Sequence, residues 1–256
     1  MQYAHLFREK IAAGQALLGG AVTLTDPIVA ELLSRAFDFL WVDAEHNPLT
    51  SKVVEGHLMA IDGRNCPMLV RVPMGDVNFI KHVLDAGADG IVAPQVRSLA
   101  DARRVVDGCR YPPLGGRGFG PRRAVDYGDR GGSDYPERAN RDVLAFIMLE
   151  DAGALAELDQ ILDLPGLDGV CIGPADLSAS LGVYGQMEHP DLQRAFDTII
   201  EKTRAKGKIV GVGGGDDPKT AQRWIDRGVQ WLQLGGDGGY MLSHAKRIVA
   251  AIRNVQ

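Results

Sequence analysis

Short apolar runs rich in β-branched residues alternate along the chain with longer segments of helical periodicity. The runs lie at residues 19–24, 38–43, 67–72, 89–94, 143–150, 168–173, 208–213 and 230–235. Amphipathic segments follow these runs, and several end in Gly just before the next run, as helices often do. Another amphipathic segment, near residues 3–16, precedes the first run. Eight strands alternating with eight helices predict an α/β fold, a (β/α)8 TIM barrel with an N-terminal helix, spanning residues 1–256 as one domain.

A doubly wound open sheet is the competing fold, because it also alternates strands with helices. Such a sheet has no reason to stop at eight strand–helix units, whereas a barrel closes there. The chain also lacks a GxGxxG motif after its first strand, which dinucleotide-binding open sheets carry at that position. The pattern therefore favours the barrel.

One connection is longer than a barrel needs. Residues 111–142 are rich in Gly, Pro and Arg and show no sustained periodicity; loops of this length in compact domains are usually functional or disordered. Because this segment comes after the fourth strand, we expect it on the barrel face that carries the chemistry. Within it, GGRGFGPRRA at 115–124 could hold an anion through backbone amides and Arg117, Arg122 and Arg123, although it lacks the GK[ST] of a P-loop.

Composition and charge narrow the range of partners. The formal net charge is -5, with Lys and Arg scattered along the chain, which argues against nucleic-acid binding. The three cysteines, Cys66, Cys109 and Cys171, are far apart in the sequence and fit no metal-ligand spacing, so we expect buried thiols in a reducing cytoplasm. The N-terminus shows no signal sequence, and no apolar run reaches about 18 residues, so we expect no membrane segment.

Polar and glycine residues follow the ends of the predicted strands. After the second to the eighth strand they are, in chain order, Asp43, Glu45 and His46; Arg71; Pro94 and Gln95; Glu150 and Asp151; Gly173, Pro174 and Asp176; Gly213, Gly214 and Gly215; Gly235, Gly236 and Asp237. In a TIM barrel the loops after the carboxyl ends of the strands build the active site. The sequence therefore predicts one site at this rim.

Glu150 and Asp176 follow neighbouring strands, so their carboxylates would repel each other unless a proton or a cation lay between them. A divalent ion that prefers oxygen ligands, Mg2+ or Mn2+, is the simplest bridge. The alternative is structural: Asp176 could cap the short helix ADLSASLG as a side-chain acceptor.

Arg71 lies in the apolar stretch LVRVP, where a guanidinium needs an anionic partner. That partner is either an oxygen of a substrate or, as a structural alternative, Asp43 or Asp85. His46 is the natural acid or base of the rim because its charge changes near neutral pH. A lone histidine is more often structural than catalytic, but this one follows Asp43 and Glu45 at a strand end.

Six stretches occur in the same order as in a known family. They are WVDAEHNPL, LVRVP, GADGIVAPQV, RYPPLGGRGFG, IMLE and GVCIGPADLSASLG. Together they resemble the HpcH/HpaI family of class II, metal-dependent pyruvate aldolases, of the 4-hydroxy-2-oxoheptanedioate or 2-dehydro-3-deoxyglucarate aldolase type. The resemblance runs from about residue 14 to the C-terminus. Single motifs among these would not be specific, but the ordered combination is.

The resemblance implies reversible aldol cleavage of a 4-hydroxy-2-oxo acid, either a hydroxy ketoacid or a 2-dehydro-3-deoxy sugar acid. The products would be pyruvate and an aldehyde, formed through a pyruvate enolate held on Mg2+ or Mn2+, with Co2+ or Zn2+ as substitutes. Members of the family assemble as hexamers, trimers of dimers, in which the last helix is exchanged between subunits. No lysine that could form a Schiff base is required, and Lys208 begins a strand at the wrong face.

The resemblance also implies the roles of the residues that hold the metal and pyruvate. Glu150 and Asp176 match the metal ligands, and Arg71 matches the arginine that meets the pyruvate oxygens. The backbone of Gly173, Pro174, Ala175 and Asp176 would hold the pyruvate carboxylate.

For proton transfer, the resemblance implies that His46 is the acid/base histidine and that Asp43 is its neighbour on the same loop. Asp85 matches the aspartate that pairs with this histidine, across a subunit boundary.

Three positions depart from the family pattern and bear on the aldehyde pocket. Met148 stands where a polar Gln is common, Gly20 where a Trp is common, and Gly213 where a bulky side chain lines the pocket. These differences predict a roomier and less polar pocket, with an acceptor aldehyde other than the usual semialdehydes.

Two other functions use the same barrel. An acyl-CoA lyase related to the citrate lyase β subunit would need a CoA groove, which the short chain without a C-terminal extension does not favour. A non-catalytic metabolite-binding barrel would not need an acid/base group such as His46 beside Arg71, Glu150 and Asp176.

Overall fold

Eight parallel strands form a closed barrel in a computed structural model that describes residues 3–253. The strands are β1 (Leu17–Val22), β2 (Phe39–Asp43), β3 (Met68–Arg71), β4 (Gly90–Ala93), β5 (Leu144–Leu149), β6 (Gly169–Ile172), β7 (Ile209–Gly214) and β8 (Trp231–Gly236). Each strand pairs with the next, and β8 pairs with β1 to close the barrel. The predicted (β/α)8 barrel is confirmed, with β1 beginning two residues earlier than predicted.

Twelve α-helices among the described residues surround or close the barrel. They are α1 (Ala4–Ala12), α2 (Pro27–Leu33), α3 (Ser51–Ala60), α4 (Val77–Asp85), α5 (Leu99–Cys109), α6 (Tyr135–Asp142), α7 (Ala152–Ala156), α8 (Leu158–Leu162), α9 (Pro174–Ser180), α10 (Pro190–Ala205), α11 (Pro218–Asp226) and α12 (Asp237–Arg253). Several begin at a side chain that accepts a backbone N–H of the first turn, as Asp76 does for Asn78 and Phe79. Such caps satisfy the free N–H groups at a helix start.

The N-terminal helix closes the amino end of the barrel. Phe7 of α1 is fully buried, and its ring centroid lies 5.3 Å from that of Phe39, 6.1 Å from that of Phe146 and 6.3 Å from that of Trp231. These aromatic residues come from β2, β5 and β8 and fill the barrel interior. Side chains therefore fill the barrel interior at its amino end.

The long segment after α5 lies at the amino end of the barrel, so its predicted placement on the catalytic face is wrong. The α5 helix runs from the rim back to the amino end, and residues 111–142 start there. Arg117 of this segment forms a 2.6 Å ion pair with Asp85, the last residue of α4. Arg123 donates to the carbonyl oxygen of Ala86, next along the chain. The segment therefore packs against the end of α4, and two of the arginines expected to hold an anion are bonded within the chain.

Burial of the cysteines agrees with the sequence prediction. Cys66, Cys109 and Cys171 are buried and form no disulfide, and burial raises the pKa of Cys109 to about 11. Cys171 lies in the barrel interior on β6. Across residues 3–253, none of the helices is both long enough and apolar enough to pass through a bilayer.

Candidate active site

Asp43 and Arg71 are the terminal residues of β2 and β3 and lie opposite each other in the strand register. The guanidinium forms a two-pronged ion pair with the carboxylate, from Nε to Oδ1 at 2.9 Å and from Nη2 to Oδ2 at 2.8 Å. The same carboxylate accepts the backbone N–H of Glu45 at 3.1 Å and the side-chain amide of Asn47 at 2.9 Å. Asp43 therefore both fixes Arg71 and folds the loop that carries His46.

Arg71 has a second carboxylate partner. Its Nη1 lies 3.1 Å from Oε2 of Glu45 and 3.9 Å from the sulfur of Met148. The guanidinium also lies over the Trp41 ring, 5.4 Å from the ring centroid. The structural ion pair with Asp43 considered as an alternative is present, and Arg71 lines the rim cavity as well.

Burial and the charge of Arg71 shift the pKa values of Asp43 and Glu45 in opposite directions. Burial raises the pKa of Asp43, but the hydrogen bond and the charge of Arg71 outweigh it and leave the pKa below its ordinary value. At Glu45, burial outweighs the charge of Arg71, and the pKa is raised. Asp43 is thus the firmly ionised partner of Arg71, and Glu45 is the acid that accepts a proton more readily.

His46 lies at the rim with its side chain 65% exposed, and its Nε2 lies 3.6 Å from Oε2 of Glu45. Asp43 contacts the backbone N–H of His46, at 3.3 Å, and so supports the loop. Asp85 ends α4, at the amino end of the barrel, where Arg117 pairs with it. Within one chain the fold therefore does not bring Asp85 to His46.

Glu150 follows β5 and is buried, with 6% of its surface exposed. Its Oε1 accepts the backbone N–H of Gln95 at 2.8 Å, which Gln95 presents from a left-handed conformation with φ of 59°. Burial, followed by the neighbouring charges of Asp176 and Glu45, raises the pKa of Glu150 to about 6. The carboxylate is thus held in a place where a nearby cation would stabilise its charged form.

Asp176 lies in the first turn of α9, which follows the neighbouring strand β6. Its side chain is exposed, and no side-chain hydrogen bond caps α9, so the helix-capping alternative is not supported. Gly173, before the helix, packs against Glu150: a Cβ there would lie 2.6 Å from Oε2 of Glu150 and 3.1 Å from the Met148 methyl carbon. Only glycine leaves room for the Glu150 carboxylate at this point.

The two carboxylates suit a hard divalent cation. Oxygen ligands are those that Mg2+ and Mn2+ prefer, and Mg2+ is usually held by one or two protein carboxylates with substrate and water in the remaining positions. Within residues 3–253, three or more His, Cys, Asp or Glu side chains do not come together in a metal-binding arrangement. Glu150 and Asp176 therefore suit a site in which substrate and water supply the remaining ligands of the ion. They do not suit a zinc site in which the protein supplies all four ligands.

A cavity of about 830 Å3 opens at the rim. Its lining includes the predicted residues Arg71, Gly173, Pro174, Ala175, Asp176 and Gly213, together with Trp41, Met148, Met187, Glu188, Gln193, Phe196, Asp197, Gly214, Gly215, Thr220, Arg223, Trp224, Arg227 and Gln233. The structure thus gathers residues that follow β3, β6 and β7 around one space. Its volume lies in the range of ligand-binding cavities in proteins.

Gly20 does not enlarge this cavity, contrary to the sequence prediction. A Cβ at Gly20 would lie 2.5 Å from the Phe37 ring, and Phe37 stacks on Tyr240 of α12 at 5.8 Å. Position 20 therefore faces the outer layer of the barrel. Met148 and Gly213, the other two departures, do line the cavity.

Trp41, Glu45 and Gln95 make contacts in the site that the residue pattern did not predict. Trp41 lies two residues before Asp43 on the same strand and the same face, so strict alternation along β2 would have found it. The role of Glu45 as a partner of Arg71 depends on the loop conformation, and that of Gln95 depends on a positive φ. Neither of these is visible in the residue pattern.

A closed (β/α)8 barrel that gathers an arginine and two carboxylates at the carboxyl rim is a TIM-barrel enzyme. A sequence profile described as HpcH/HpaI aldolase/citrate lyase matches residues 22–244. The chain belongs to this family of carbon–carbon lyases.

Individual relatives match nearly the whole chain. A hydroxypyruvate/pyruvate aldolase of Roseobacter denitrificans is 35% identical over 247 residues, 95% of each chain. A 2-keto-3-deoxy-L-rhamnonate aldolase of Salmonella gallinarum is 37% identical over 234 residues, 90% of this chain and 86% of its own. The crystal structure of an HpcH/HpaI aldolase/citrate lyase family protein from Burkholderia cenocepacia superimposes with a TM-score of 0.89 at 31% identity, covering 98% of this chain and 99% of its own.

Proposed function

We propose that this protein reversibly cleaves a 4-hydroxy-2-oxo acid to pyruvate and an aldehyde with the help of Mg2+ or Mn2+. The observation that carries this proposal is that Arg71 and Asp176 line one cavity above a packed barrel, while the buried carboxylate of Glu150 packs against Gly173 of the same lining. The printed names of the relatives, a hydroxypyruvate/pyruvate aldolase and a 2-keto-3-deoxy-L-rhamnonate aldolase, support the reaction type and differ in the substrate.

Pyruvate would be held by groups from three strand ends. Nη1 and Nη2 of Arg71 pair with Glu45 and Asp43, and because each of these nitrogens carries two N–H groups, Arg71 can still donate to the oxo and carboxylate oxygens. Of the residues that begin the helix, Gly173 donates its N–H to Leu149 and Pro174 has none, so the N–H groups of Ala175 and Asp176 are the ones that can meet a carboxylate. Glu150 and Asp176 would hold the divalent ion, which when bound supplies positive charge that stabilises negative charge developing on the oxo oxygen.

His46 would move the proton of the reaction. In the cleavage direction, its neutral imidazole accepts the proton of the C4 hydroxyl. In the reverse reaction, the aldol addition, it returns a proton to the aldehyde oxygen. The exposed ring lies on a loop that Asp43 folds, with Nε2 near Glu45. Asp43 acts in this scheme as the support of both Arg71 and the His46 loop.

We further propose that the active form is a homohexamer, a trimer of dimers, in which Asp85 of the partner subunit pairs with His46. Asp85 lies at the opposite end of its own barrel from the rim, so only another copy could bring it there. Phe119, two residues after the Arg117 that pairs with Asp85, is 67% exposed, and exposed aromatic side chains are frequent at subunit contacts.

The last helix supports exchange between subunits. Every residue of α12 from Met241 to Arg253 is exposed, and this part of the helix includes five exposed apolar residues, Met241, Leu242, Ile248, Val249 and Ile252. Its first turn is anchored to its own barrel, where the Asp237 carboxylate accepts the backbone N–H of Thr23 at 2.7 Å. A helix that is held at one end and exposes several large apolar side chains along the rest of its length can pack on a partner's surface.

The test is cleavage of 4-hydroxy-2-oxo acids by protein stripped with a chelator and then reloaded with Mg2+ or Mn2+. Pyruvate release should depend on the added ion and should fall by more than about a hundredfold in the stripped protein, as expected when the main source of charge stabilisation is removed. Equal rates for stripped and reloaded protein would overturn the metal-dependent mechanism.

We also propose that the protein works in a reducing cytoplasm, which suits the three unpaired thiols of the chain.

A further inference from the structure

The rim cavity is larger than pyruvate needs and extends away from the pyruvate end. Pyruvate has six non-hydrogen atoms and displaces on the order of six waters, roughly 180 Å3 at about 30 Å3 each, against a cavity of about 830 Å3. Arg71 and Gly173 line one end, and Gln193, Arg223 and Trp224 of α10 and α11 line the other. Most of the cavity is therefore available to the other product, the aldehyde.

The passage between the two ends is lined by three glycines that the fold does not require. A Cβ built at Gly213 would meet only Oε1 of Gln233, at 3.8 Å, one at Gly214 only the Gln233 carbonyl oxygen, at 3.9 Å, and one at Gly215 nothing within 4 Å. None of the three has a positive φ. In contrast, a Cβ at Gly211 of the same strand would lie 1.9 Å from the Trp231 ring. Larger residues would fit at 213–215, and their absence keeps the passage open.

The far end of the cavity, which we call the annex, is lined by Gln193, Phe196, Asp197, Thr220, Arg223, Trp224 and Arg227, with Glu188 beside it. Its charges cancel in pairs: Arg227 binds Asp197 at 2.6 Å, and Arg223 lies 3.4 Å from Glu188. Thr220 donates its hydroxyl to Asp217, and the Gln193 amide donates to Met187 and accepts from Arg227. The Thr220 oxygen and the second N–H of the Gln193 amide still leave an acceptor and a donor for a ligand. A neutral surface with many donors and acceptors suits a ligand that carries several hydroxyl groups and no charge.

We propose that the annex binds the distal hydroxyls of an uncharged polyhydroxylated aldehyde of four or more carbons, and that Gly213 admits this chain from the pyruvate end. This inference rests on the proposed function, because it assigns the aldehyde of that reaction. Arg223 is the specificity residue of the annex: its side chain is 66% exposed, and its ion pair with Glu188 is long, so its N–H groups can donate to a ligand.

The experiment measures kcat/KM for addition of pyruvate to three acceptors, using the full chain with Mn2+. The acceptors are glycolaldehyde, which has two carbons, erythrose, which has four and is neutral, and succinic semialdehyde, which has four and is anionic. We expect erythrose to exceed succinic semialdehyde. The variant Gly213→Leu should lower the ratio of erythrose to glycolaldehyde activity by about tenfold or more, since one misfitting group in a pocket costs about tenfold to two-hundredfold in discrimination.

Two further variants separate the annex from the passage. Arg223→Ala should lower the same ratio about tenfold by removing donors to the distal hydroxyls. Lys219→Ala is the matched control, because Lys219 is exposed on the same helix but does not line the cavity, and the ratio should not change. Gly213→Ala should give a smaller effect than Gly213→Leu and replaces it if the leucine variant does not fold.

The outcomes distinguish this inference from the proposed function. Deuterium exchange at the pyruvate methyl group, measured without any aldehyde, reports the proposed function alone. If exchange occurs but Gly213→Leu and Arg223→Ala lower all acceptors equally, the annex has no role in specificity. If succinic semialdehyde is the best acceptor and Arg223→Ala removes that preference, the annex binds an anion and the inference is wrong. Absence of exchange in the unmodified protein would overturn both.

Discussion

Each guanidinium nitrogen of Arg71 has a carboxylate partner in the structure, two from Asp43 and one from Glu45. Such a cluster is held because a buried guanidinium without partners would lose its hydration without compensation. Glu45 differs from Asp43 in two respects: it makes a single contact with Arg71, and its pKa is raised by burial. Its charge also contributes to the raised pKa of Glu150, so one residue links the arginine and the carboxylate pair.

Metal binding should depend on the protonation of Glu150. Its pKa of about 6 lies above the ordinary value, so the free protein carries a proton on Glu150 below about pH 6, and the ion must displace that proton. We expect the affinity for Mn2+ to be constant well above this value and to fall by about tenfold per pH unit below it. Isothermal titration calorimetry across this range measures the affinity, and the heat in buffers of different ionisation enthalpy reports the released proton.

Glu45→Gln is the control for this titration. Removing a neighbouring negative charge lowers the pKa of Glu150, so the fall in Mn2+ affinity should begin at lower pH in the variant. A Mn2+ affinity that does not change with pH in either protein would contradict the assigned role of Glu150.

The α1 helix covers the amino end of the barrel. It carries one fully buried aromatic residue, Phe7, into the ring formed by Phe39, Phe146 and Trp231. Burial of so large a side chain contributes through both transfer from water and close packing. The helix therefore stabilises the barrel from the end opposite to the active site.

Phe7→Ala should lower the free energy of unfolding by about 3–5 kcal/mol, the usual cost of deleting a buried aromatic side chain. Urea denaturation followed by tryptophan fluorescence measures the change. His5→Ala is the matched control, because His5 is exposed on the same helix, and should change stability by less than about 0.5 kcal/mol. Similar stability for Phe7→Ala and the unmodified chain would mean that α1 does not support the barrel.

Strand positions were predictable because strands of a parallel barrel are buried on both faces and appear as continuous apolar runs. The end of each run then marked the rim, which is how Arg71 and Glu150 were found. The face of each residue was less certain: β1 begins two residues earlier than predicted, and Gly20 faces Phe37 instead of the cavity. The prediction for residues 111–142 was wrong because it took them to follow the fourth strand directly. The α5 helix comes between and returns the chain to the amino end of the barrel.

At the scale of the molecule, one chain does not contain the whole predicted catalytic set. Asp85 and His46 lie at opposite ends of the same barrel, and most of α12 is exposed with apolar side chains. A role for Asp85 beside His46 could be predicted only from the family resemblance. No local sequence pattern connects a residue at the end of a helix with a loop at the rim. A second copy of the chain, in a closed symmetric assembly, would complete the site.

Subunit complementation tests this arrangement. His46→Ala and Asp85→Ala should each be nearly inactive alone. When the two are unfolded together and refolded as a mixture, roughly a quarter of the sites should receive an intact His46 from one subunit and an intact Asp85 from its neighbour if the copies assemble at random. Recovery of about that fraction of activity is the expected result, measured beside the hexamer mass by light scattering. No recovery in correctly assembled mixtures would place Asp85 outside the site.

In the proposed mechanism, Arg71, Glu150 and Asp176 activate pyruvate at the barrel rim with a divalent ion. Deuterium exchange at the pyruvate methyl group, followed by proton NMR without any aldehyde, measures this activation directly. We expect exchange with Mg2+ or Mn2+, and a loss of about a hundredfold or more in Arg71→Ala and in Glu150→Gln, the scale found when a charge-stabilising group is removed. Exchange that continues at the original rate in Arg71→Ala, or after the ion is chelated, would contradict this mechanism.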